Sequence, residues 1–506
     1  MDWATKSSAI SRSMSPKASV LRACLSKSLA ALLFLAAVLA ACAAETAVAA
    51  AAPSAQSSAK PAAPQGQDDD EDDDEEDDDE SEGPDDAPGT KAPAPGEGGA
   101  MPLQPSAQPP AESVPVIPAR RFAEIERAEG EGEERGPGLL QKWLDVPDGM
   151  RVEGWIEAGG DWVAHNAKNR PNFGVNDGNP AQTVALNQAY LIVEKPLTDG
   201  TDWSWGFRFD NLFGVDADVF RPEGLLDNSV SWGKPSWLPV QFYGEMRAPL
   251  GEGAFDVKAG TFYALQGYEE GMAPYRPLYS TSYLYNFARP ATYTGVMTTW
   301  RPNKQWEIYN GFINSPDHWL QGGWHSNYAG GFSFDSEDEK TEVSVTFTAG
   351  PSTSRQFIFD GAGVFGAPPD RLANTWLVSE VLTHELSDSL SISLELLQGV
   401  SSGTRDAAGA GSSASHWSGQ GGWLSYDIGD DWAVIVRADR LHDPAGSRTG
   451  FKGDFYEATL GLRYEPTEWL MVRPEIRQDV ASGARPYSDG TKGSQSSVGL
   501  DVMIRF

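Results

Sequence analysis

A closed antiparallel transmembrane β-barrel of about 16 strands, preceded by a disordered N-terminal segment, is the fold class this sequence predicts. Three observations carry that reading. Polar and apolar residues alternate again and again from residue 152 to the end, with no long helical periodicity. No stretch after residue 43 approaches the ~18–20 apolar residues that a spanning helix needs. Trp, Tyr and Phe gather at the ends of the alternating runs (Trp155 and Trp162, Trp203 and Trp205, Trp300 and Trp306, Trp417 and Trp423, Trp432, Trp469), as two lipid–water interfaces would select.

The chain opens on an address. Residues 1–28 carry Lys6, Arg12, Lys17, Arg22 and Lys27 against the single Asp2, and LAALLFLAAVLAACA (29–43) follows as an apolar run. The run is too short for a comfortable membrane helix and has the basic flank of a secretory signal peptide, so 1–43 is assigned to export. Two exits stay open. Ala41-Cys42-Ala43 satisfies the small-x-small cleavage rule, and Leu39-Ala40-Ala41-Cys42 resembles a lipobox in which Cys42 would be acylated.

Residues 44–140 read as an Ala/Pro/acid-rich linker. Within it 44–117 has no aromatic residue, too little apolar surface to offset the entropy of ordering. Residues 68–86 hold 16 acids and no base, and such blocks are usually solvated tails, with divalent-cation or surface-polymer binding as the other reading. All but one of the 17 Trp lie beyond residue 140, which marks 141–506 as the folded barrel. The formal charge of −33 divides accordingly: residues 151–506 hold 27 Lys+Arg against 44 Asp+Glu, a net of −17. Both cysteines, Cys24 and Cys42, precede the barrel, so neither a disulfide framework nor a cysteine metal site is available there.

The strands follow in order. WSWGFRFD (203–210) sets Trp203, Trp205, Phe207 and Phe209 on one face and Ser204, Gly206, Arg208 and Asp210 on the other. VQFYGEMRA (240–248) opposes Phe242 and Met246 to Glu245 and Arg247, and FDVKAGTFY (255–263) opposes Val257 to Lys258. TEVSVTFTA (341–349), SLSISLELL (389–397), WAVIVRADR (432–440), WLMVRPEIRQD (469–479) and the closing SVGLDVMIRF repeat the pattern. Turn signals separate the runs: TDG (198–200), GEG (251–253), SGT (402–404), HDPAG (442–446) and EPTE (465–468). The polar faces carry charges of both signs, which a soluble sandwich would dilute with uncharged residues. Without spanning helices only a closed barrel satisfies its backbone in a bilayer, so the aromatic face should meet lipid and the charged face a lumen.

The expected lumen-facing, pore-lining residues are Arg208, Asp210, Glu245, Arg247, Arg437, Asp439, Arg473, Glu475, Arg477 and Asp479. They read either as a salt-bridge ladder in the wall or as a transverse field that orients solutes. Terminal Phe506, ending an alternating strand, resembles the signal that barrel assembly machinery recognises.

Specific wording narrows the class. GWIEAGGDW (154–162), LNQAYLIVEKPL (186–197), WGFRFDNLFGVDA (205–217), GTFYALQGYE (260–269), YSTSYLYNFARPATYTGV (279–296), RADRLHDPAGSRTGF (437–451), FYEATLGLRYEP (455–466) and VRPEIRQD (472–479) together resemble the OmpL-like β-barrel porin family. The resemblance covers most of 152–506 and is weakest between 315 and 430. It implies a bacterial outer-membrane barrel that passes small hydrophilic solutes or ions. Arg289, in NFARP, stands where an acidic residue is expected.

No catalysis and no cofactor are expected. The six histidines (His165, His318, His325, His384, His416 and His442) do not pair at a metal-ligand spacing on one strand face. Neither a GxSxG elbow nor a phosphate-binding glycine loop occurs. Expected partners are outer-membrane lipid, the assembly machinery, the diffusing solutes or ions, and a second copy of the chain in a homo-oligomer, with no nucleic acid. The competing reading is a non-conducting barrel that anchors the outer membrane to a surface or periplasmic layer.

Overall fold

The computed structural model describes residues 139–144, 146–164, 172–176, 179–226, 233–320, 324–352, 357–359, 364–366, 373–404 and 413–506. The signal peptide, Cys24, Cys42, the acidic tract and His165 lie outside the described residues. A short helix, Leu139–Leu144, precedes the first strand.

The strands are β1 (Arg151–Val163), β2 (Thr183–Lys195), β3 (Ser204–Gly214), β4 (Ser236–Leu250), β5 (Gly253–Tyr263), β6 (Thr292–Asn303), β7 (Trp306–Ile313), β8 (Asn327–Asp335) and β9 (Thr341–Ser352). Then come β10 (Phe357–Phe359), β11 (Val364–Gly366), β12 (Ala373–Ser387), β13 (Leu390–Thr404), β14 (Ser413–Ile428), β15 (Trp432–Asp443), β16 (Gly453–Thr467), β17 (Leu470–Ser482) and β18 (Ser494–Arg505). Sixteen of these close a barrel in sequence order, β9 pairing directly with β12, while β10 and β11 form a separate hairpin. All ladders are antiparallel, and β18 pairs with β1 from Trp155–Arg505 to Val163–Ser497 to shut the seam. At its edge Phe506 and Gly154 exchange both backbone hydrogen bonds, 2.9 and 3.0 Å, and a Cβ at Gly154 would strike the Phe506 ring.

Connections alternate in length. One end of the barrel has tight turns, as at 251–252, 304–305, 388–389 and 468–469, and the other carries long connections such as 215–235 and 264–291. The strand pattern is as the alternation requires. Trp205, Phe209, Met246, Leu396, Ile476, Val498 and Ile504 are exposed on the outer wall, whereas Arg208, Asp210, Arg437 and Arg473 are buried inside. Trp162, Trp203, Trp300, Trp306, Trp432 and Trp469 are also exposed.

Three aromatic assignments change. Trp155, Trp417 and Trp423 point inward and are buried, so they do not belong to an outer girdle. Each has an internal partner: Trp155 stacks on Tyr190 with centroids 4.2 Å apart, Trp423 packs on Tyr268 at 4.5 Å, and Trp417 Nε1 donates to the Ala288 carbonyl at 3.0 Å. Two expected turns are also strand. Residues 402–404 extend β13, because Thr404 still pairs with Ser413, and β16 runs to Thr467, opposite Leu470.

Candidate functional site

The connection 264–291 between β5 and β6 does not stay at the rim. It runs into the barrel, and nearly all of its residues are buried. Gly267 starts the inward course with φ of +92°, and a Cβ there would meet the Arg289 side chain, so the two ends of the segment touch at a residue that has none. A 3₁₀ turn at Ala273–Tyr275 and a π-helical turn at Leu284–Ala288 compact it.

One side of the lumen wall binds this segment closely. Glu475 on β17 accepts from the backbone N–H of Tyr279 (3.0 Å) and Ser280 (3.1 Å). Arg437 on β15 donates to the Ser280 carbonyl, to Ser280 Oγ (2.9 Å) and to Glu269 (2.7 Å), while its Nε pairs with Glu457 (2.7 Å). Arg473 donates to the carbonyls of Ala273 (3.0 Å) and Arg276 (2.7 Å) and pairs with Asp501 (2.6 Å) and Glu157 (2.8 Å). Arg477 reaches the Thr281 carbonyl (2.6 Å), Asp439 accepts from Leu284 N–H (3.1 Å), and Asp479 accepts from the Tyr283 hydroxyl (3.0 Å). From the segment itself Arg276 pairs with Glu157 (3.0 Å) and Asp216 (3.3 Å).

Burial dominates the electrostatics of this interface. It pushes the Tyr279 and Tyr283 hydroxyls well above their usual range, so both remain neutral donors. Burial opposes the charge on Arg276, but Glu157 and Asp216 outweigh it and hold the guanidinium above its ordinary range. At the long-loop end Phe173 packs on Phe287 (5.1 Å between centroids), Phe451 (5.6 Å), Phe455 and Tyr487 (both 5.9 Å), capping the same side with rings.

The other side of the segment is open. A pocket of about 860 Å³, counting space that is open to solvent, lies between it and the inner faces of β4–β7 and β9, bordered by Lys258, Arg289, Arg301, Glu269, Glu270, Thr299 and Thr346, among others. Arg289 lies over the Tyr285 ring at 4.3 Å and donates to the carbonyls of Gln266 (3.0 Å) and Glu269 (2.8 Å). Lys258 sits over Tyr243 at 4.4 Å, and Arg301 pairs with both Asp256 and Glu307.

The ten residues singled out from the sequence therefore divide. Arg437, Asp439, Arg473, Glu475, Arg477 and Asp479 are brought together beneath the inner segment, all buried. Arg208 and Asp210 pair with each other at 2.9 Å, also buried, with Arg208 reaching Met272 Sδ at 3.4 Å. Glu245 and Arg247 are half-buried, and Arg247 pairs with Asp256 (2.7 Å) and binds the Thr198 and Gly200 carbonyls. None of the ten borders this space; the segment covers the six on β15 and β17, and Glu245 and Arg247 on β4 lie beyond its edge. The segment's own Glu269, Arg276, Tyr279 and Tyr283 were missed. The signal was there: GTFYALQGYE and YSTSYLYNFARP are aromatic-rich stretches on a connection, where solvated loops carry few rings. Among the described residues no group of three or more His, Cys, Asp or Glu side chains could hold a metal ion.

Comparison with known proteins agrees in kind. The family model described as "Putative beta-barrel porin-2, OmpL-like" matches residues 149–506. No curated protein matches the chain. Among solved structures, the outer membrane channel DcaP of Acinetobacter baumannii is 11% identical, covering 71% of this chain and 97% of its own with a TM-score of 0.46. Pseudomonas putida OprB is 14% identical, covering 73% and 96% with a TM-score of 0.47. Salmonella typhi OmpF is 14% identical, covering 71% and 97% with a TM-score of 0.44.

Proposed function

We propose that this chain, which belongs to the OmpL-like β-barrel porin-2 family, passes small hydrophilic solutes or ions along the open half of its lumen. The barrel is a porin-like protein of the bacterial outer membrane. The observation that supports the path is the asymmetry of the interior: a pocket open to solvent borders β4–β7 and β9, while the β15–β18 side is filled by the inner segment. Sixteen strands leave room for an aqueous channel, and an inward segment narrows it without closing it.

On this reading Arg437, Arg473, Glu475, Arg477, Asp439 and Asp479 hold the inner edge of the channel in place. Arg289, Lys258, Arg301 and Glu270 set the field that a solute meets. The −17 charge of the barrel favours cations at its mouths, whereas the lining carries three bases (Lys258, Arg289 and Arg301) against two acids (Glu269 and Glu270), so any selectivity is small.

Planar-bilayer conductance of the purified full chain tests the path. Thr299 lines the open space and the adjacent Thr298 faces outward, donating to the Asn310 carbonyl at 3.0 Å. Thr299→Trp should lower single-channel conductance and Thr298→Trp should not. Equal effects would place the path elsewhere.

The anchor reading is favoured by one observation, the dense hydrogen bonding of the segment to the wall. Absence of conductance in protein shown to be folded would decide for it.

A further inference from the structure

Buried charge on one side of the lumen does not balance. Among the described residues, β1 and β15–β18 carry eight buried carboxylates against four buried arginines. The inner segment, with Arg276 and Arg289 against Glu269 and Glu270, leaves that excess unchanged. Charges taken out of water are paired within a protein or held by metals. Two of the acids stand side by side without a pair. Asp161 of β1, Gly499 of β18 and Glu475 of β17 are directly opposite one another in one row. Asp161 is 1% exposed and Glu475 4%, and neither forms an ion pair with a described residue. The guanidiniums of Arg437 and Arg477 are engaged by Glu269, Glu457 and Asp479.

Gly499 leaves the space between them clear. The point where its Cβ would stand is 2.9 Å from Asp161 Oδ1 and 3.1 Å from Glu475 Oε1, so both oxygens lean over a residue with no side chain. The other oxygen of Asp161, Oδ2, accepts from Asn172 Nδ2 and Asn176 Nδ2, both at 2.9 Å. That brings the β1–β2 connection onto the carboxylate. Asp161 Oδ1, Asn172 Oδ1 and Asn179 Oδ1 are all buried with no hydrogen-bond partner. Each of the three is an acceptor, and an acceptor kept from water without a donor costs free energy. A bridging water has only two hydrogens to share among them, whereas one cation satisfies them together. Carboxylate and amide oxygens are the ligands of Ca²⁺, which takes about six to eight of them at about 2.3–2.6 Å and tolerates irregular geometry.

We propose that Asp161, Glu475, Asn172 and Asn179 bind one Ca²⁺ above Gly499 through these oxygens, with water filling the rest of its shell. Half of the protein ligands are amides, so the site needs no third acid or histidine. The ion neutralises the two carboxylates and ties the β1–β2 connection to the wall. Glu475 already holds the inner segment through the N–H groups of Tyr279 and Ser280, so connection, wall and segment meet at one ion. The inference does not depend on the conduction path.

Tb³⁺, a hard cation of similar size that luminesces when a nearby aromatic ring is excited, reads the site in the purified full chain in detergent. Tyr279 is the antenna, its hydroxyl 2.6 Å from Asn179 Nδ2. The acidic tract 68–86 also attracts cations, but residues 44–117 hold no aromatic residue to sensitise an ion there. The parent chain should give saturable emission that Ca²⁺ displaces. Asp161→Asn keeps the shape and removes the charge, and should weaken both ions at least tenfold. Gly499→Ala keeps every charge but sets a methyl group in the gap, and should weaken them as much. Asp338→Asn, exposed in the β8–β9 turn, should bind as the parent does. Ca²⁺ should also raise the temperature at which the parent loses its folded migration, and should not do so for Asp161→Asn. Heat-modifiable migration establishes that each variant is folded, and Asp161→Asn decides alone if Gly499→Ala is not. No sensitised emission from the folded parent, or parent-like affinity in either folded variant, would overturn the proposal.

Discussion

Replacing Arg437 with methionine removes the most heavily used anchor of the inner segment and leaves the strand ladder of β15 intact. The guanidinium is fully buried and joins Glu269 of the segment to Glu457 of the wall, while also donating to Ser280 twice and to Thr459 (3.3 Å). Its loss removes the ion-pair partner of buried Glu269, which keeps only the Ser282 donors, and leaves Glu457 with Thr459 and the more distant Arg477 at 3.8 Å. Breaking a buried pair from one side costs about 3–5 kcal/mol, and each ~1.4 kcal/mol is tenfold in an equilibrium. The docked state of 264–291 should lose ground to displaced states by roughly a hundred- to a few-thousand-fold. Single-channel recording reads this directly. Arg437→Met should show larger and noisier open currents than the parent chain, with the same heat-modifiable migration. Adding Glu269→Gln and Glu457→Gln removes the stranded charge and should return steady currents, because a neutral, well-packed group replaces an ion pair at little cost. If Arg437→Met recorded like the parent in folded protein, the segment would not border the current path and the anchoring argument would fail.

Further outcomes follow from the same wall. Phe207→Asp and Val434→Asp put a carboxylate on the lipid face and should cut the yield of assembled barrel in the membrane fraction, whereas Lys258→Gln inside should assemble normally; charge there costs up to ~2–4 kcal/mol for Arg or Lys and less for Asp. Deleting 44–117 should leave heat-modifiable migration unchanged, and failure of the truncated chain to fold in detergent would show a structural role for that segment. Arg289→Glu should move the reversal potential in a KCl gradient toward cation preference, since Arg289 borders the open space. An unmoved potential would take Arg289 off the path.

The barrel was legible because its physics is local. A period of two along each strand decides which residues face lipid, and Trp203, Phe207, Arg208 and Asp210 can be sorted from eight letters. Closure could be argued too, since backbone groups in a bilayer leave no other option. What lies inside the wall was not legible in the same way. Arg473 faces inward whether it meets water or a carbonyl, and alternation cannot tell the two apart. That depends on residues 200 positions away, where Ala273 offers its carbonyl to Arg473. Trp417 and Trp423 show the same limit: near a strand end they read as interface rings, yet the inner segment gives each a partner.

The segment also explains why the wall alternates charge so regularly. Directly opposite one another on β15, β16 and β17 stand Asp439, Glu457 and Asp479, and two residues along stand Arg437, Thr459 and Arg477. Like charges opposite each other destabilise a bare sheet. Here Leu284 N–H, the Tyr283 hydroxyl and Arg477 supply donors to the acidic row, while Ser280 and Thr281 supply carbonyls to the basic one. A row of acids beside a row of bases is a template for a peptide backbone, which offers donors and acceptors in alternation. Filled with water alone the same wall would be a strong field across the lumen. Filled by 264–291 it is a dock, and the field that solutes meet passes to Lys258, Glu270, Arg289 and Arg301 on the opposite side.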